Sequence, residues 1–285
     1  KIGATILNPK IIGSYSQLPQ IAEEKEVDKI VVALSERRGT MPLKELLECK
    51  LKGIKVIDGS NFYECLTGKI SVENLYPGWL IFSEGFSMYK ISKTLKWILD
   101  TVVSVIGLVL CSPLIIISIV LIKIDSPGPA FFKQERVGKN DKVFNLLKFR
   151  SMKCDAELDT GPIWAQTSDN RITRVGKIIR KTRIDEIPQL FNVLRGDMSL
   201  VGPRPERPFF IEKLEKEIPY YTQRHSTKPG ITGWAQIKYS YGASVEDATE
   251  KLKYDLYYIK NMSILLDLVI IFETIKVVLF GKGSR

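Results

Sequence analysis

The chain has 285 residues and a formal net charge of +10, with 26% charged and 45% apolar residues. This composition excludes an intrinsically disordered chain, and the length is enough for one large domain or two smaller ones. The positive charge predicts an anionic partner, such as nucleic acid, a phosphorylated substrate or acidic lipid.

Four scattered cysteines without a C-x-x-C pair and a single histidine, His225, exclude the usual kind of zinc site and favour a reducing compartment. Lys1 is neither a methionine nor part of a signal peptide, so we expect the natural N-terminus to lie further upstream.

Residues 1–71 are predicted to form a small α/β module. "KIVVALS" (Lys29–Ser35) has the apolar, β-branched pattern of a buried parallel strand, and "IKVID" (Ile54–Asp58) is predicted to be the next strand. Between them, "MPLKELLECKLKG" places leucines at helical spacing and ends on Gly53. Strand, helix and strand indicate an α/β unit. Because no G-x-G-x-x-G follows a strand, a structural or regulatory module is favoured over a cofactor site.

The next feature is an uncharged apolar segment, "TVVSVIGLVLCSPLIIISIVLI" (Thr101–Ile122). At a rise of about 1.5 Å per residue, it is long enough to cross a hydrocarbon core of about 30 Å. A buried core helix is the alternative, but this length without charge favours membrane insertion. Ser112 and Pro113 lie in its middle, and proline removes a backbone donor and clashes with the preceding turn, so a sharp bend is predicted there.

The charges that flank this segment bear on its topology. Basic residues lie before it at Lys90, Lys93 and Lys96, and after it at Lys123, Lys133, Arg136 and Lys139. A simple span should carry positive charge on its cytoplasmic side only. Positive charge at both ends, with Ser112-Pro113 between them, favours a re-entrant helix over a spanning one. Ser112 is a candidate to satisfy the backbone groups that Pro113 frees, which would be costly in lipid.

Residues 124–285 form the largest predicted part. Turn signals flank "AFFKQERV" and "KVFNLLKF", which predicts a β-hairpin. The C-terminal "MSILLDLVIIFETIKVVLF" is apolar but interrupted by Asp267, Glu273 and Lys276, which predicts a helix in a membrane interface or packed on the core, and not a span. The positive charge is not gathered in one basic helix and no nucleic-acid-binding signature is present, so nucleic acid is disfavoured as the partner.

The stretch "RIDEIPQLFNVLRGDMSLVGPRPE" (Arg183–Glu206) sets two carboxylates, Asp185 and Glu186, at the start of a predicted helix. Pro188 fits only in the first turn of that helix, so the pair is expected at its N-terminus, where the helix dipole favours ionised carboxylates. Three flanking basic residues are expected to lower the pKa of the pair further: Arg180, Lys181 and Arg183. An ionised Asp serves as a nucleophile or a metal ligand, whereas an Asp with a raised pKa would suit a general acid. Simple helix capping explains the pattern equally well.

Other basic residues are candidates to meet this pair. Lys148 and Arg150 lie in "LLKFRSM", and Arg204 lies between two prolines in "VGPRPE". The planar fork of arginine suits bidentate recognition of phosphate. For each of these residues, a solvated surface charge is an equally good interpretation.

Taken in order, four motifs resemble the bacterial sugar transferase family, the monotopic polyprenyl-phosphate phosphoglycosyl transferases. They are "KFRSM", "RKTRIDEIPQLFNVLRGDMSLVGPRPE", "KPGITGWAQI" and "YDLYYIKNMSILLDL", and the resemblance covers about Lys90–Leu279. "FYECLTGKISVENLYPGWLIFSEGF" resembles the linker of the larger exopolysaccharide members, which carry N-terminal membrane helices and a Rossmann-like domain. The implied fold is α/β: a partial Rossmann-like module at 1–71, a linker at 72–95, a re-entrant membrane helix at 96–123 and an α+β transferase domain with interfacial amphipathic helices at 124–285.

The resemblance also implies a reaction and roles for the candidate residues. Members transfer a sugar-1-phosphate from a UDP-sugar to undecaprenyl phosphate and release UMP, by way of a covalent phosphosugar on the Asp of an Asp-Glu pair. In this chain the nucleophile is then Asp185, while Glu186 positions it or, together with Asp185, binds Mg²⁺. The residues that match phosphate-holding basic positions are Lys148, Arg150, Arg180 and Arg204. Ser112 and Pro113 match the bend of the re-entrant helix. Arg183 and Ile184 depart from the family, in which many members have a small polar residue and Leu before the pair.

The implied partners are a UDP-sugar, a polyprenyl phosphate and the lipid bilayer, with a homodimer left open and nucleic acid excluded. The implied location is the bacterial inner membrane, with the catalytic domain on its cytoplasmic face. The implied role is the first membrane step of exopolysaccharide, O-antigen or capsule synthesis. A non-catalytic membrane scaffold of a polysaccharide assembly complex is the alternative. The sequence leaves open which sugar is transferred and what the N-terminal module does.

Overall fold

The structure is a computed structural model that describes residues 11–34, 41–73, 83, 85–86, 88–154, 156, 169–239, 242 and 244–279. The chain divides into two compact units, Lys1–Ser71 and Val72–Arg285.

The first unit contains a parallel pair of strands with helices before, between and after them. Its elements are α1 (Leu18–Glu24), β1 (Lys29–Val32), α2 (Leu43–Leu51), β2 (Lys55–Asp58) and α3 (Gly59–Thr67). Val31 pairs with Ile57 in the parallel register. The Asp58 side chain accepts a hydrogen bond from the Ser60 amide at 2.8 Å and so begins α3 directly after the strand. The predicted order of strand, helix and strand is confirmed, although Ser35 lies outside the described residues.

The second unit is mixed helix and strand. Its elements are α4 (Lys90–Leu110), α5 (Ser112–Asp125), β3 (Phe131–Val137), β4 (Val143–Phe149), α6 (Arg174–Lys181), α7 (Gln189–Arg195), β5 (Ser199–Val201), α8 (Pro208–Glu217), β6 (Gly230–Thr232), α9 (Trp234–Lys238), α10 (Val245–Lys260) and α11 (Ile264–Leu279). The predicted C-terminal helix is therefore present. Its Asp267 and Ile270 are buried, whereas Leu265 and Phe272 are exposed, so it packs on the core and leaves a second apolar face open.

The apolar segment forms a bent pair of helices, α4 and α5, whose axes differ by 60°. The bend falls at Ser112-Pro113, as predicted. Pro113 has no amide to offer the Val109 carbonyl, and the Ser112 hydroxyl donates to that carbonyl instead, at 2.8 Å. Within the described residues no single helix is long and apolar enough to cross a membrane, whereas the bent pair together meets that test of length and composition. Apolar side chains cover its outside, including Leu110 at 74% exposure and Ile124 at 77%.

The predicted hairpin packs on the second helix of the bent pair. β3 and β4 pair in antiparallel register, with Phe131 opposite Phe149 and Phe132 opposite Lys148. A buried apolar cluster joins α5, the hairpin and α6: Ile122, Ala130, Phe149 and Ile179. Burial of this cluster fixes β4, which carries Lys148, against the helix pair.

A short parallel pair, β5 and β6, leads into the Gly-Pro-Arg turn. Ser199 pairs with Gly230, and the Gly202 amide donates to the Thr232 carbonyl at 2.9 Å. The two backbones approach so closely at Gly202 and Gly230 that a Cβ on Gly230 would lie 2.1 Å from the Gly202 nitrogen. Glycine is therefore required there by packing, and the start of the turn that carries Arg204 is fixed.

Candidate functional site

The acidic pair lies on a turn of its own. Residues Ile184–Glu186 form a single 3₁₀ turn, and α7 begins only at Gln189, with Pro188 as its N-cap. The expectation of one helix with the pair in its first turn is corrected by this break. The i to i+3 bonds from the Glu186 and Ile187 amides tighten the chain before Pro188. Gly196 ends α7 in the left-handed conformation, as the sequence predicts.

Glu186 gathers the positive charge of the site. Its Oε1 accepts a hydrogen bond from Arg204 Nη2 at 2.7 Å and lies 3.6 Å from both Lys148 Nζ and Arg183 Nη1. Burial raises the pKa of Glu186, but the charges of Arg204, Lys148 and Arg183 outweigh burial and hold the pKa at about 2. The lowered pKa keeps Glu186 ionised near neutral pH, where it forms ion pairs with Arg204, Lys148 and Arg183.

The pKa of Asp185 is shifted in the opposite direction, upward. Its side chain is buried at 8% exposure. Burial raises the pKa of Asp185, as does the charge of Glu186 beside it, while Lys148, Arg180 and Arg204 oppose the shift without cancelling it. The expectation that the flanking basic residues lower the pKa of both carboxylates is therefore wrong for Asp185, because burial and the charge of Glu186 outweigh the nearby cations. Asp185 has the higher proton affinity of the two, which makes it the stronger nucleophile once it is ionised.

Lys148 reaches the pair because a buried amide holds its strand on the helix that follows the pair. Asn192 on α7 accepts from the Leu147 amide at 2.9 Å and donates to the Asn145 carbonyl at 2.8 Å. This residue was not predicted from the sequence; its signal was an amide side chain among the apolar residues of α7. Burial lowers the pKa of Lys148, and Glu186 opposes that shift.

Arg204 is held through its backbone by a second arginine. Its carbonyl accepts from Arg224 Nη2 at 2.9 Å, while Arg224 also donates to Asp255 Oδ2 at 2.8 Å and to the Tyr221 hydroxyl at 2.7 Å. Arg224 and Asp255 are buried, so the turn that aims Arg204 at Glu186 rests on a desolvated ion pair. Neither residue was predicted, because they lie far along the chain from the acidic pair.

The remaining predicted cations have different positions. Arg180, on α6, lies close enough to the pair for its charge to lower the pKa of Asp185. Arg150 instead donates to the carbonyls of Ser126 and Pro127, at 2.7 Å in both cases, and so closes the end of α5. β4 ends at Phe149, so Arg150 no longer shares the strand face of Lys148. The structure does not bring Arg150, for which the resemblance implied a phosphate-holding role, to the acidic pair.

The donor set at the pair suits one kind of metal site. Mg²⁺ takes one or two protein carboxylates and completes its shell with water and substrate phosphates. Asp185 and Glu186 provide those two carboxylates. In the part of the chain that the structure describes, no group of three or more His, Cys, Asp or Glu side chains is placed to hold a metal ion. A magnesium ion at this pair would have these two carboxylates as protein ligands and would take its other ligands from water and phosphate.

Comparisons with known proteins cover this whole site. Residues 91–281 match the family model described as bacterial sugar transferase. The chain is 45% identical over 243 residues to the UDP-N-acetylgalactosamine-undecaprenyl-phosphate N-acetylgalactosaminephosphotransferase of Aeromonas hydrophila, covering 84% of this chain and 56% of that protein. It is 35% identical over 283 residues to the UDP-glucose:undecaprenyl-phosphate glucose-1-phosphate transferase of Xanthomonas campestris pv. campestris, covering 96% and 57%.

A shorter relative matches almost from end to end. The exopolysaccharide production protein PSS of Rhizobium leguminosarum bv. phaseoli is 42% identical over 198 residues, which are 66% of this chain and 98% of that protein. By contrast, the chain spans little more than half the length of the Aeromonas and Xanthomonas proteins.

Proposed function

Because the chain belongs to the bacterial sugar transferase family, we propose that it transfers a sugar-1-phosphate from a UDP-sugar to undecaprenyl phosphate and releases UMP. The proteins from Aeromonas and Xanthomonas are named for transfers of this kind. The observation that carries the proposal is the buried Asp185 beside Glu186, with Lys148, Arg180 and Arg204 around them. A diphosphate brings the negative charge that these cations are placed to receive.

The reaction has two displacements at one phosphorus atom. A carboxylate oxygen of Asp185 attacks the phosphorus that carries the sugar, an oxygen–phosphorus bond forms, and the bond to UMP breaks with its electron pair leaving on UMP. An oxygen of undecaprenyl phosphate then attacks the same phosphorus, and Asp185 leaves as the free carboxylate. Arg204 and Lys148 balance the charge on the phosphoryl oxygens in both steps.

Glu186 serves this chemistry by position. It anchors Arg204, Lys148 and Arg183 around the attacking carboxylate before substrate arrives, so the cations are oriented in advance. Asp185 and Glu186 would hold Mg²⁺, which when bound supplies further neutralisation of the diphosphate. The extra cation Arg183 lies 3.6 Å from Glu186, where it adds to the charge that a substrate meets.

The proposed location is the cytoplasmic face of the inner membrane, with α4 and α5 entering the bilayer and turning back. Three observations support it: the 60° bend, the Ser112 bond that satisfies the Val109 carbonyl, and basic residues at both ends of the apolar segment. A re-entrant pair keeps the carboxylate pair at the surface, where a water-soluble UDP-sugar and a lipid-embedded phosphate can both reach it.

The proposal is tested by UMP release from a panel of UDP-sugars, with undecaprenyl phosphate in detergent. We expect the wild-type chain to release UMP, and Asp185→Asn, which keeps the shape and removes the nucleophile, to lower the rate by about a thousandfold or more. Glu212→Gln, an exposed carboxylate on α8, is the control that should keep the wild-type rate. Radiolabelled phosphosugar trapped on Asp185 would support the covalent step directly.

Two outcomes of this experiment overturn parts of the proposal. Full turnover by Asp185→Asn removes the nucleophile assignment. A wild-type chain that is folded and membrane-bound but releases no UMP from any UDP-sugar rejects the transferase, and leaves the non-catalytic scaffold as the better reading.

A further inference from the structure

A buried polar cluster joins the bent helix pair to the strand that precedes Arg204. Lys96 on α4 places its Nζ 2.7 Å from Asp267 Oδ2, 3.2 Å from the Tyr258 hydroxyl and 3.2 Å from the Val201 carbonyl. One turn further along α4, Asp100 accepts a hydrogen bond from the Leu200 amide at 3.1 Å. Two side chains of α4 thus bond backbone groups of two successive residues of β5, the Leu200 amide and the Val201 carbonyl.

The donors in this cluster are fully used. An ammonium group has three protons, and Lys96 has three acceptors within reach. The Tyr258 hydroxyl has a single proton and lies 2.7 Å from Asp267 Oδ1 but 3.1 Å from the Val201 carbonyl. The nearer carboxylate takes that proton, so the Val201 carbonyl depends on Lys96 for its hydrogen bond. Asp267 and Lys96 are only 2% and 13% exposed, so water is poorly placed to replace this bond.

What these bonds hold in place is the start of the Gly-Pro-Arg turn. Val201 is followed by Gly202, whose amide is bonded to the Thr232 carbonyl, and Arg204 comes two residues later. A shift of β5 along its axis would move Arg204 with it, since the intervening residues are Gly202 and the rigid Pro203. Arg204 Nη2 reaches Glu186 at 2.7 Å, a contact that a small displacement would lose.

We propose that Lys96 and Asp100 are positioning residues for Arg204, which means that the bent helix pair sets the register of the phosphate-binding arginine through β5. Lys96 and Asp100 connect α4 to the site through hydrogen bonds to β5, and they act on substrate only through Arg204. The inference rests on the proposed function in one respect, because Arg204 is assigned there to the diphosphate.

A merely structural role for Lys96 would be to neutralise the buried Asp267. Lys96→Met alone does not separate the two roles, because it leaves a buried carboxylate unpaired and destabilises the fold. The double variant Lys96→Met/Asp267→Asn removes both members of the ion pair and keeps an acceptor for Tyr258. Neither charge of the pair is then left without its partner, while the Lys96 donor to Val201 is still missing. If Lys96 only neutralises Asp267, the double variant behaves as wild type.

The first arm of the test is steady-state kinetics of UMP release. We expect the double variant to raise the KM for UDP-sugar about tenfold with a smaller change in kcat, since Arg204 contacts the diphosphate in the ground state and the transition state alike. Lys96→Arg, which still donates to Val201 and pairs with Asp267, should recover most of the affinity. Lys93→Met is the matched control, because Lys93 is an exposed lysine one turn earlier on the same helix.

The second arm does not depend on activity. Hydrogen–deuterium exchange of the Gly202 amide should be faster in the double variant than in the wild type and unchanged in Lys93→Met. A wild-type chain without UMP release rejects the proposed function but leaves this arm able to decide the link. Wild-type KM together with wild-type exchange in a folded double variant would overturn the proposal.

Discussion

At the scale of single residues, the site assigns opposite tasks to two chemically similar neighbours. Glu186 keeps its charge because Arg204, Lys148 and Arg183 converge on one of its oxygens. Asp185, one residue earlier, is buried and lies next to that negative charge, so its pKa is raised by burial first and by Glu186 second. A nucleophile whose pKa is raised loses its reactive form on the acid side at a higher pH than an ordinary aspartate does.

This gives a prediction for Glu186→Gln. The variant removes the negative neighbour but leaves the cations, so the pKa of Asp185 should fall. The acid limb of kcat/KM for UMP release should therefore move to lower pH, even though the maximal rate drops. The measurement is a profile over about pH 4 to 7 for the wild type, Glu186→Gln and the exposed control Glu212→Gln. A limb that stays in place or moves to higher pH would contradict the assignment of Asp185 as the titrating group.

The residue pair was visible in the sequence, but the distribution of cations between its members was not. Spacing along the chain cannot show that Arg204, 18 residues after Glu186, folds back onto it and not onto Asp185. Arg150 illustrates the converse. Only Phe149 lies between it and Lys148, but β4 ends at Phe149, and Arg150 donates to the Ser126 and Pro127 carbonyls instead. Tertiary packing decides which acceptor each of these arginines bonds.

At the scale of elements, the bent pair and the hairpin were predictable because their signals are local. Proline, turn residues and an uncharged apolar run act within a few positions of where they stand. The split of the predicted helix into a 3₁₀ turn and α7 was missed, as was the Asn192 bridge between α7 and β4. The bridge joins residues that are 45 positions apart, and no periodicity reveals it.

The re-entrant arrangement is tested by cysteine labelling in sealed inverted vesicles, in a background without the four native cysteines. We expect Lys44→Cys in the first unit and Lys216→Cys on α8, both exposed positions, to be labelled from the same side. Adding Pro113→Ala restores an amide for the Val109 carbonyl and removes the ring clash, so α4 and α5 can join into one span. Label at Lys44→Cys should then be lost. If the chain with Pro113 intact is labelled at Lys216→Cys but not at Lys44→Cys, the re-entrant arrangement is rejected.

At the scale of the whole molecule, the family match and the site lie within one of the two units. The match covers residues 91–281, and the second unit is Val72–Arg285. Every described contact that builds the site joins residues of this second unit. The parallel pair of β1 and β2 in the first unit agrees with the predicted α/β module, while its Rossmann-like identity stays a prediction.

We therefore expect a chain that begins at Val72 to release UMP from the same UDP-sugar with a KM within about threefold of the full chain, since the described contacts that build the site join residues of the second unit. The comparison is made in the same detergent, with circular dichroism to show that the shortened chain is folded. Loss of UMP release from a folded shortened chain, or a changed sugar preference, would show that the first unit takes part in catalysis or selection.

The bond between Glu186 and Arg204 has a consequence for selectivity and turnover. In the structure the Glu186 carboxylate accepts a hydrogen bond from Arg204, at the place where a phosphate oxygen would bind in the proposed reaction. An incoming anion has to displace it, so weakly charged or single phosphates are at a disadvantage against a diphosphate that reaches several cations at once. In the proposed reaction the same competition would return when UMP departs, because Glu186 would bond Arg204 again and lower the affinity for the product. The proposed reaction would then combine weaker substrate binding with faster release of UMP.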